Sequence, residues 1–305
     1  MDDTASDLDF DEDPLADAPP ADIDIDLRVD SGVRHLSPSS AGMYEQCARK
    51  WKHRYLDRLP DPPGEAALVG TFAHRVLELL LQDAPDRRTL DRAKELAREA
   101  WPETETDPDY QVLELSDTDA RRFRWKGWSA IEGLWRLENP AVVDVAATEQ
   151  KVDVELNGVP FRGIVDRVDN EPDGVVITDY KSGRAPRPRY QKGRLTQVLL
   201  YAGAVGELNG APPTRARLLY LGQRVIETAV TPDNLGEALE GLETTWSNIE
   251  SDCASQTFAP TTGPLCAWCP FVAQCPEGMA EVSNRYNAGR VRLDAPAVAH
   301  LANAS

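Results

Sequence analysis

FRGIVDRVDNEPDGVVITDYK, residues 161–181, decides the fold. Two short apolar runs flank Glu171-Pro172-Asp173-Gly174, whose composition is that of a tight turn, so the stretch is an antiparallel hairpin. Side chains alternate along a strand, which puts Ile164, Asp166 and Val168 on one face. Val175, Ile177, Asp179 and Lys181 likewise share a face of the second strand. A hairpin centred between Pro172 and Asp173 sets Asp166 opposite Asp179.

Two carboxylates opposed across a strand pair repel, and without compensation they weaken the sheet. Oxygen ligands at that separation suit a hard divalent cation, Mg²⁺ or Mn²⁺, and Lys181 brings an ammonium to the same face. Carboxylates holding a metal beside a lysine can polarise a phosphate and activate water for phosphodiester hydrolysis. The hairpin alone equally allows a solvated face where Asp and Lys form weak surface pairs.

Outward from the hairpin, the sheet begins near Thr148, where Val152, Val154 and Leu156 alternate with polar residues up to the two-residue turn Asn157-Gly158. Glu149 lies near the start of that strand. Downstream, Arg184, Arg187, Arg189, Lys192 and Arg194 follow one another without an intervening acid. They form either a phosphate track or a solvated loop, the latter favoured by Pro186 and Pro188. Gln197 and Tyr201 share a face of the next helix, and strands around 217–221 and 225–230 precede a helix over 232–251.

Upstream, Ser37-Pro38 starts a helix that the pattern carries to about Leu56, with Tyr44, Cys47, Trp51 and Tyr55 on its buried face. Arg49, Lys50, Lys52 and Arg54 lie opposite, as a phosphate-binding or solvated face. Gly70-Thr71-Phe72-Ala73-His74 runs into a further apolar helix and places His74 in its first turns. Residues 86–138 read as mostly helical, and Arg121, Arg122, Arg124, Trp125, Lys126 and Trp128 interleave charge with aromatic rings. That pattern serves a single-stranded DNA grip or an amphipathic packing helix.

The chain of 305 residues has 41 % apolar residues, enough for a core, and no apolar run of transmembrane length or secretory signal. We therefore expect a cytoplasmic protein without a membrane partner. Net charge is −18, but residues 1–30 hold twelve acids and one Arg, which leaves the remainder at about −7. Residues 1–33 are expected to be a disordered acidic leader that solubilises the chain or competes with DNA for a basic groove.

Cys266, Cys269 and Cys275 supply three thiolates within ten residues, one short of a zinc or iron–sulfur ligand set. Cys47, inward-facing and 219 residues upstream of Cys266, is the best fourth; Cys253, ending a helix, is expected to be free. Spacing alone leaves zinc and iron–sulfur open. Either would staple the first helix to the C-terminal segment.

Asp166, twelve intervening residues and Asp179-Tyr180-Lys181 resemble motifs II and III of the PD-(D/E)XK nuclease superfamily, in the branch related to the nuclease domain of RecB. The Ser-initiated helix with its Tyr, Cys and basic pair, Gly-x-x-x-His74, Gln197-x-x-x-Tyr201 and the cysteine spacing extend the resemblance over about Leu36 to Pro276. It implies a mixed α/β, restriction-endonuclease-like core of helix, three strands, helix and strand, with a helical insertion, over residues 34–280. Residues 281–305 would be a C-terminal tail. His74, Asp166, Asp179 and the Tyr180 carbonyl would ligate Mg²⁺ or Mn²⁺, and Lys181 would act on water. Glu149 would stand beside the metal, and Gln197 with Tyr201 would hold the DNA backbone. The resemblance also implies a 4Fe–4S cluster on Cys47, Cys266, Cys269 and Cys275, as in AddB-type and CRISPR-adaptation nucleases. The expected activity is a DNA exonuclease in repair or recombination. No Walker-type motif occurs, so a helicase, or a repair or CRISPR partner, would be a separate chain.

Overall fold

The structure is a computed structural model that describes residues 34–302; the acidic leader lies outside the described residues. α1 (Pro38–Gln46) opens with a capping box: the Ser40 N–H donates to Ser37 Oγ and the Ser37 N–H to Ser40 Oγ. The single helix expected as far as Leu56 is two. Cys47 adopts an extended backbone (φ −167°, ψ 110°), ends α1 and becomes the N-cap of α2 (Ala48–Tyr55). The break turns the Cys47 sulfur away from the core to accept the N–H groups of Lys50 and Thr261 at 3.5 and 3.4 Å. Trp51 and Tyr55 are buried as their spacing predicts, with Trp51 stacked on Phe258.

α3 (Glu65–Gln82) begins earlier than its glycine suggests, so His74 sits in mid-helix rather than in the first turns. α4 (Leu90–Glu105), α5 (Pro108–Val112) and α6 (Asp117–Gly133) complete the helical insertion around Phe72, Trp101, Tyr110 and Phe123, whose rings meet edge to face. The cations of α6 have partners: Arg122 pairs with Asp119, Lys126 with Glu65, and Arg124 lies over Trp101. Trp125 projects into solvent, 66 % exposed.

Five strands form one sheet in the order β1 (Val145–Leu156), β2 (Val159–Glu171), β3 (Gly174–Lys181), β4 (Arg215–Tyr220) and β5 (Arg224–Ala229). Asn157 and Gly158 both have positive φ (48° and 80°), the two-residue turn that matches strand twist. β3 and β4 are parallel, which requires a crossover; α7 (Gln191–Asn209) supplies it. The other neighbours are antiparallel. α8 (Pro232–Ser255) joins α1, α2 and α7 over a core containing Phe161, Val168, Ile177 and Leu218. The insertion packs with Tyr180, Leu219 and Leu221. The helix, three-strand, helix, strand order is thus present, with β5 added at the edge.

α9 (Pro276–Asn287) spans the boundary expected at residue 280, and residues out to α10 (Val298–Ala302) pack with Ala267 and Val272 in a small third core. Residues 281–302 are part of the fold because Val282, Ala295 and Ala297 have the apolar surface to cover the cysteine segment. Among the described residues no helix is long and apolar enough to cross a membrane.

Candidate active site

The β2–β3 ladder runs from Glu171 opposite Gly174 back to Arg167 opposite Thr178. One residue further, the same register sets Asp166 opposite Asp179. In β1, Thr148 faces Arg167 and Gln150 faces Val165, so Glu149 stands opposite Asp166. Three carboxylates thus lie in a row across three strands. β3 meanwhile continues alongside β4 as far as Lys181 opposite Tyr220. Where β2 and β3 part, Asp166 Oδ2 accepts the Tyr180 N–H at 2.7 Å. A side chain there takes the place of a ladder carbonyl.

Glu149 is held in the left-handed region (φ 48°), which costs a non-glycine residue about 1–3 kcal/mol. That backbone turn, which no turn residue in the strand announces, carries the carboxylate toward the fork. His74 approaches from α3, its Nδ1 3.4 Å from Asp166 Oδ2 and its ring edge-on to Tyr180. His74, Glu149 and Asp166 offer ligand atoms that all lie within 4.8 Å of one another. Asp179 Oδ1 accepts from Gln197 Nε2 at 3.1 Å, and Lys181 Nζ donates to Gln197 Oε1 at 3.1 Å. Gln197 therefore ties Asp179 to Lys181. Lys181 Nζ also lies 3.0 Å from Asp179 Oδ2, as an ion pair with that buried oxygen.

Like charge and burial dominate the electrostatics. Burial, then Asp166, Glu78 and Asp179, push Glu149 up to about 8. Asp179 is also raised, by burial first and by Asp166, against the pull of Lys181 and His74. Three carboxyls and an imidazole thus converge on one ammonium, that of Lys181, an excess of acidic donors that a cation would offset.

The opposite face of the fork carries a network that sequence reasoning missed. Arg167, fully buried, donates to Asp169, Glu138 and the Tyr180 hydroxyl. Arg217 reaches Asp169, Glu171 and Thr178 from β4. Burial opposes the Arg167 charge, and Tyr180, Glu138 and Asp169 outweigh it. The network braces β3 directly behind Asp179 and Lys181.

Tyr201 is 8 % exposed, with its ring against Phe161 and directly over Gly163, where a Cβ would come within 2.5 Å of it. Burial, then Asp179 and Asp166, raise the hydroxyl's pKa and keep it protonated. Its role here is to seat α7 under Gln197. Arg184, Arg187 and Arg189 are exposed on the loop after β3, Arg194 is half-buried, Arg189 covers Tyr190, and Lys192 turns to Glu237. That loop is anchored: Gln223 accepts from the Ala185 N–H and donates to the Gly183 carbonyl.

A second constellation lies between α2 and the turns that follow α8. Cys47, Cys266, Cys269 and Cys275 line one pocket that opens to solvent, together with Arg49, Lys50, His53 and Phe271. The basic face expected to meet phosphate or solvent is thus partly turned toward thiols. Gly278 N–H donates to Cys275 Sγ at 3.3 Å, and the backbones of Gly263 and Phe271 hydrogen-bond Cys266 and Cys269. Burial raises both of those thiols, Cys269 to about 11. Cys253 is half-buried in α8, outside this pocket.

Helix, three strands, crossover helix and fourth strand around Asp166 and Asp179-Tyr180-Lys181 define a nuclease core. The chain belongs to the PD-(D/E)XK nuclease superfamily, whose family model matches residues 35–276. "Gene 69 protein" of Mycobacterium phage D29 is 24 % identical over 268 residues, covering 79 % of this chain and 96 % of its own. A crystal structure from Eubacterium rectale titled "Putative exonuclease" is 16 % identical, with a TM-score of 0.49, over 79 % of this chain and 88 % of that one.

Proposed function

We propose that the protein is a metal-dependent DNA exonuclease of the RecB-like branch, acting on single-stranded DNA or DNA ends with Mg²⁺ or Mn²⁺. The observation that carries this reading is the fork itself, with His74, Glu149 and Asp166 converging within 4.8 Å beside the Asp179–Gln197–Lys181 triangle. The donors fit a divalent cation: three carboxyls whose mutual repulsion it would relieve, one imidazole and the Tyr180 carbonyl. The imidazole favours Mn²⁺ over an all-oxygen preference for Mg²⁺. A bound cation supplies Lewis-acid polarisation of the phosphate and a water of lowered pKa.

The chain's own residues do the rest. Lys181, fixed by Asp179 and Gln197, orients the attacking water and offsets charge as it grows on the phosphate oxygens. The P–O bond to the leaving oxygen breaks as the new one forms. Arg184, Arg187, Arg189, Lys192 and Arg194 steer the strand by its phosphates. A scaffold that only bound DNA would have no use for three opposed carboxyls.

Four thiols from two separated segments, two of them followed by proline, support an iron–sulfur cluster at the cysteine pocket, with zinc as the alternative. We assign a 4Fe–4S cluster to Cys47, Cys266, Cys269 and Cys275, a cytoplasmic location, and a helicase, repair or CRISPR-adaptation protein as separate partner.

The test is digestion of end-labelled linear and closed circular single-stranded DNA by anaerobically purified protein, with Mn²⁺, Mg²⁺ or chelator. Loss of linear DNA alone, only with metal, is the expected result. Binding without cleavage in either metal would replace this reading with the scaffold.

A further inference from the structure

Beyond the paired strands β3 and β4, the Leu221 N–H still donates to the Lys181 carbonyl at 2.9 Å. The chain then turns toward β5 at Gly222, in the left-handed region (φ 74°), where a Cβ on the facing Gly133 would come within 2.5 Å of the Gly222 nitrogen. The Gly222 N–H donates to the Gly133 carbonyl at 3.1 Å, which fastens this turn to the end of α6. From that seat the Gln223 amide grips the chain leaving β3. Its Oε1 accepts the Ala185 N–H at 2.9 Å, and its Nε2 donates to the Gly183 carbonyl at 2.6 Å. In a parallel ladder a residue bonds the carbonyl before and the N–H after the residue opposite it. The Gln223 amide reproduces that pattern around Arg184, as though the sheet ran on for one more residue.

The stretch it holds is also supported on either side. A Cβ on Gly70 of α3 would lie 2.9 Å from Ser182 Oγ, so α3 closes on the residue after Lys181. Ala185 is buried in the main core, and Arg224 Nη2 donates to the Pro186 carbonyl at 3.2 Å. Gln223 is itself exposed, and an exposed side chain held at both amide atoms is ordered at a cost in rotamer freedom. We propose that Gln223 is a positioning residue for DNA: by holding Gly183 and Ala185 it fixes Arg184, and the loop behind it, as the track that guides phosphates to Lys181. This rests on the nuclease reading above, in which the loop's cations steer the strand. Three residues of extended chain span about 10 Å, which places Arg184 to hold a phosphate near the one attacked. A loop left free would carry the same charge but lose freedom each time a strand bound. Held in advance, it grips the strand equally before and during the reaction, so its release acts on KM rather than kcat.

The experiment compares the full chain as wild type and as Gln223→Met, which keeps the length of the side chain and neither hydrogen bond. Limited trypsin digestion, read by mass spectrometry at the Arg184–Ala185 bond, reports opening of the loop. Cleavage of end-labelled linear single-stranded DNA with Mn²⁺ gives kcat and KM. Trypsin should cut after Arg184 about tenfold faster in the variant, the scale of losing two hydrogen bonds that keep the loop closed. KM should rise about three- to tenfold, with kcat within about twofold of the wild type. Equal trypsin rates would overturn the grip on the loop. Faster trypsin cutting with KM unchanged would overturn its role in holding DNA. If neither protein cleaves DNA, the nuclease reading falls and the DNA role with it, while the trypsin rates still decide whether Gln223 holds the loop.

Discussion

The fork and the cysteine pocket gather ligands in opposite ways. At the fork, strand register forces Glu149, Asp166 and Asp179 into one row, and the sheet, α7 and the Arg167–Arg217 network hold them there despite their repulsion. In the pocket, one thiol comes from the first helices and three from short turns beyond α8, across 219 residues of chain from Cys47 to Cys266. The fork is arranged before any ligand arrives. The pocket joins segments distant in the chain, and on the iron–sulfur reading the cluster would hold them together. Changes at the fork should therefore remove chemistry and spare the fold, whereas changes in the pocket should do the reverse.

The largest effect belongs to the fork. Asp179→Ala and Lys181→Ala should each lower the rate of DNA cleavage by about 10³-fold or more, the scale of losing a positioned acid–base group. Removing the Asp179 carboxyl also removes a buried, repelled group, so the melting temperature in chelator should hold or rise. Wild-type cleavage by Lys181→Ala would falsify the role given to that lysine. In the pocket, the iron–sulfur reading predicts that Cys47→Ser loses iron and destabilises the protein. Closing a loop of this length contributes at most ~5 kcal/mol by chain entropy, and the measured loss, from denaturant titration of wild type and variant, should approach that figure. A variant that loses iron yet unfolds at the wild-type denaturant concentration would erase the contrast between the two regions.

How much of this was legible in the sequence follows the same division. The hairpin, its register and the turn at Asn157-Gly158 were readable because turn residues and alternation act over a few positions. Asp166, Asp179 and Lys181 followed from them. The break at Cys47 was not readable, because apolar spacing runs on through Tyr44, Trp51 and Tyr55; only a tertiary partner, Thr261, marks it. Nothing in the sequence marks Arg167 and Arg217 as partners, because the contact that joins them depends on the parallel pairing of β3 with β4. Gln223 gave no signal, since its partners are backbone atoms of a loop 40 residues away.

A smaller test asks how stiffly the fork is held from behind. Gly163→Ala would place a Cβ about where the Tyr201 ring edge now lies, 2.5 Å away. Overpacking of this kind costs about 1–3 kcal/mol. The ring is buried against Phe161, so we expect relief of the clash to shift α7, which carries Gln197 away from Asp179 and Lys181. Cleavage should then fall by more than the lost folded fraction explains, and Tyr201→Leu in the same chain should restore part of it by freeing the space. Loss of stability with cleavage per folded molecule unchanged would mean that Gln197 tolerates movement of its helix.

The finest distinction concerns charge at the fork without metal. Glu149 keeps its proton up to about pH 8, whereas in the unfolded chain it loses it near 4.5. Between those values the folded state binds the extra proton, so stability falls as pH rises. The contribution is complete below about pH 4.5 and gone above about 8. Glu149→Gln, which cannot ionise, should match the wild type in chelator at pH 4.5 and melt at progressively higher temperature than it toward pH 8. A divalent cation must displace the same proton, so its affinity for the wild type should climb across this window, with proton release in calorimetry. A constant gap between the two melting curves from pH 5 to 8 would mean that the repulsion from Asp166 is relieved by solvent, and that the fork is less closed than its register makes it.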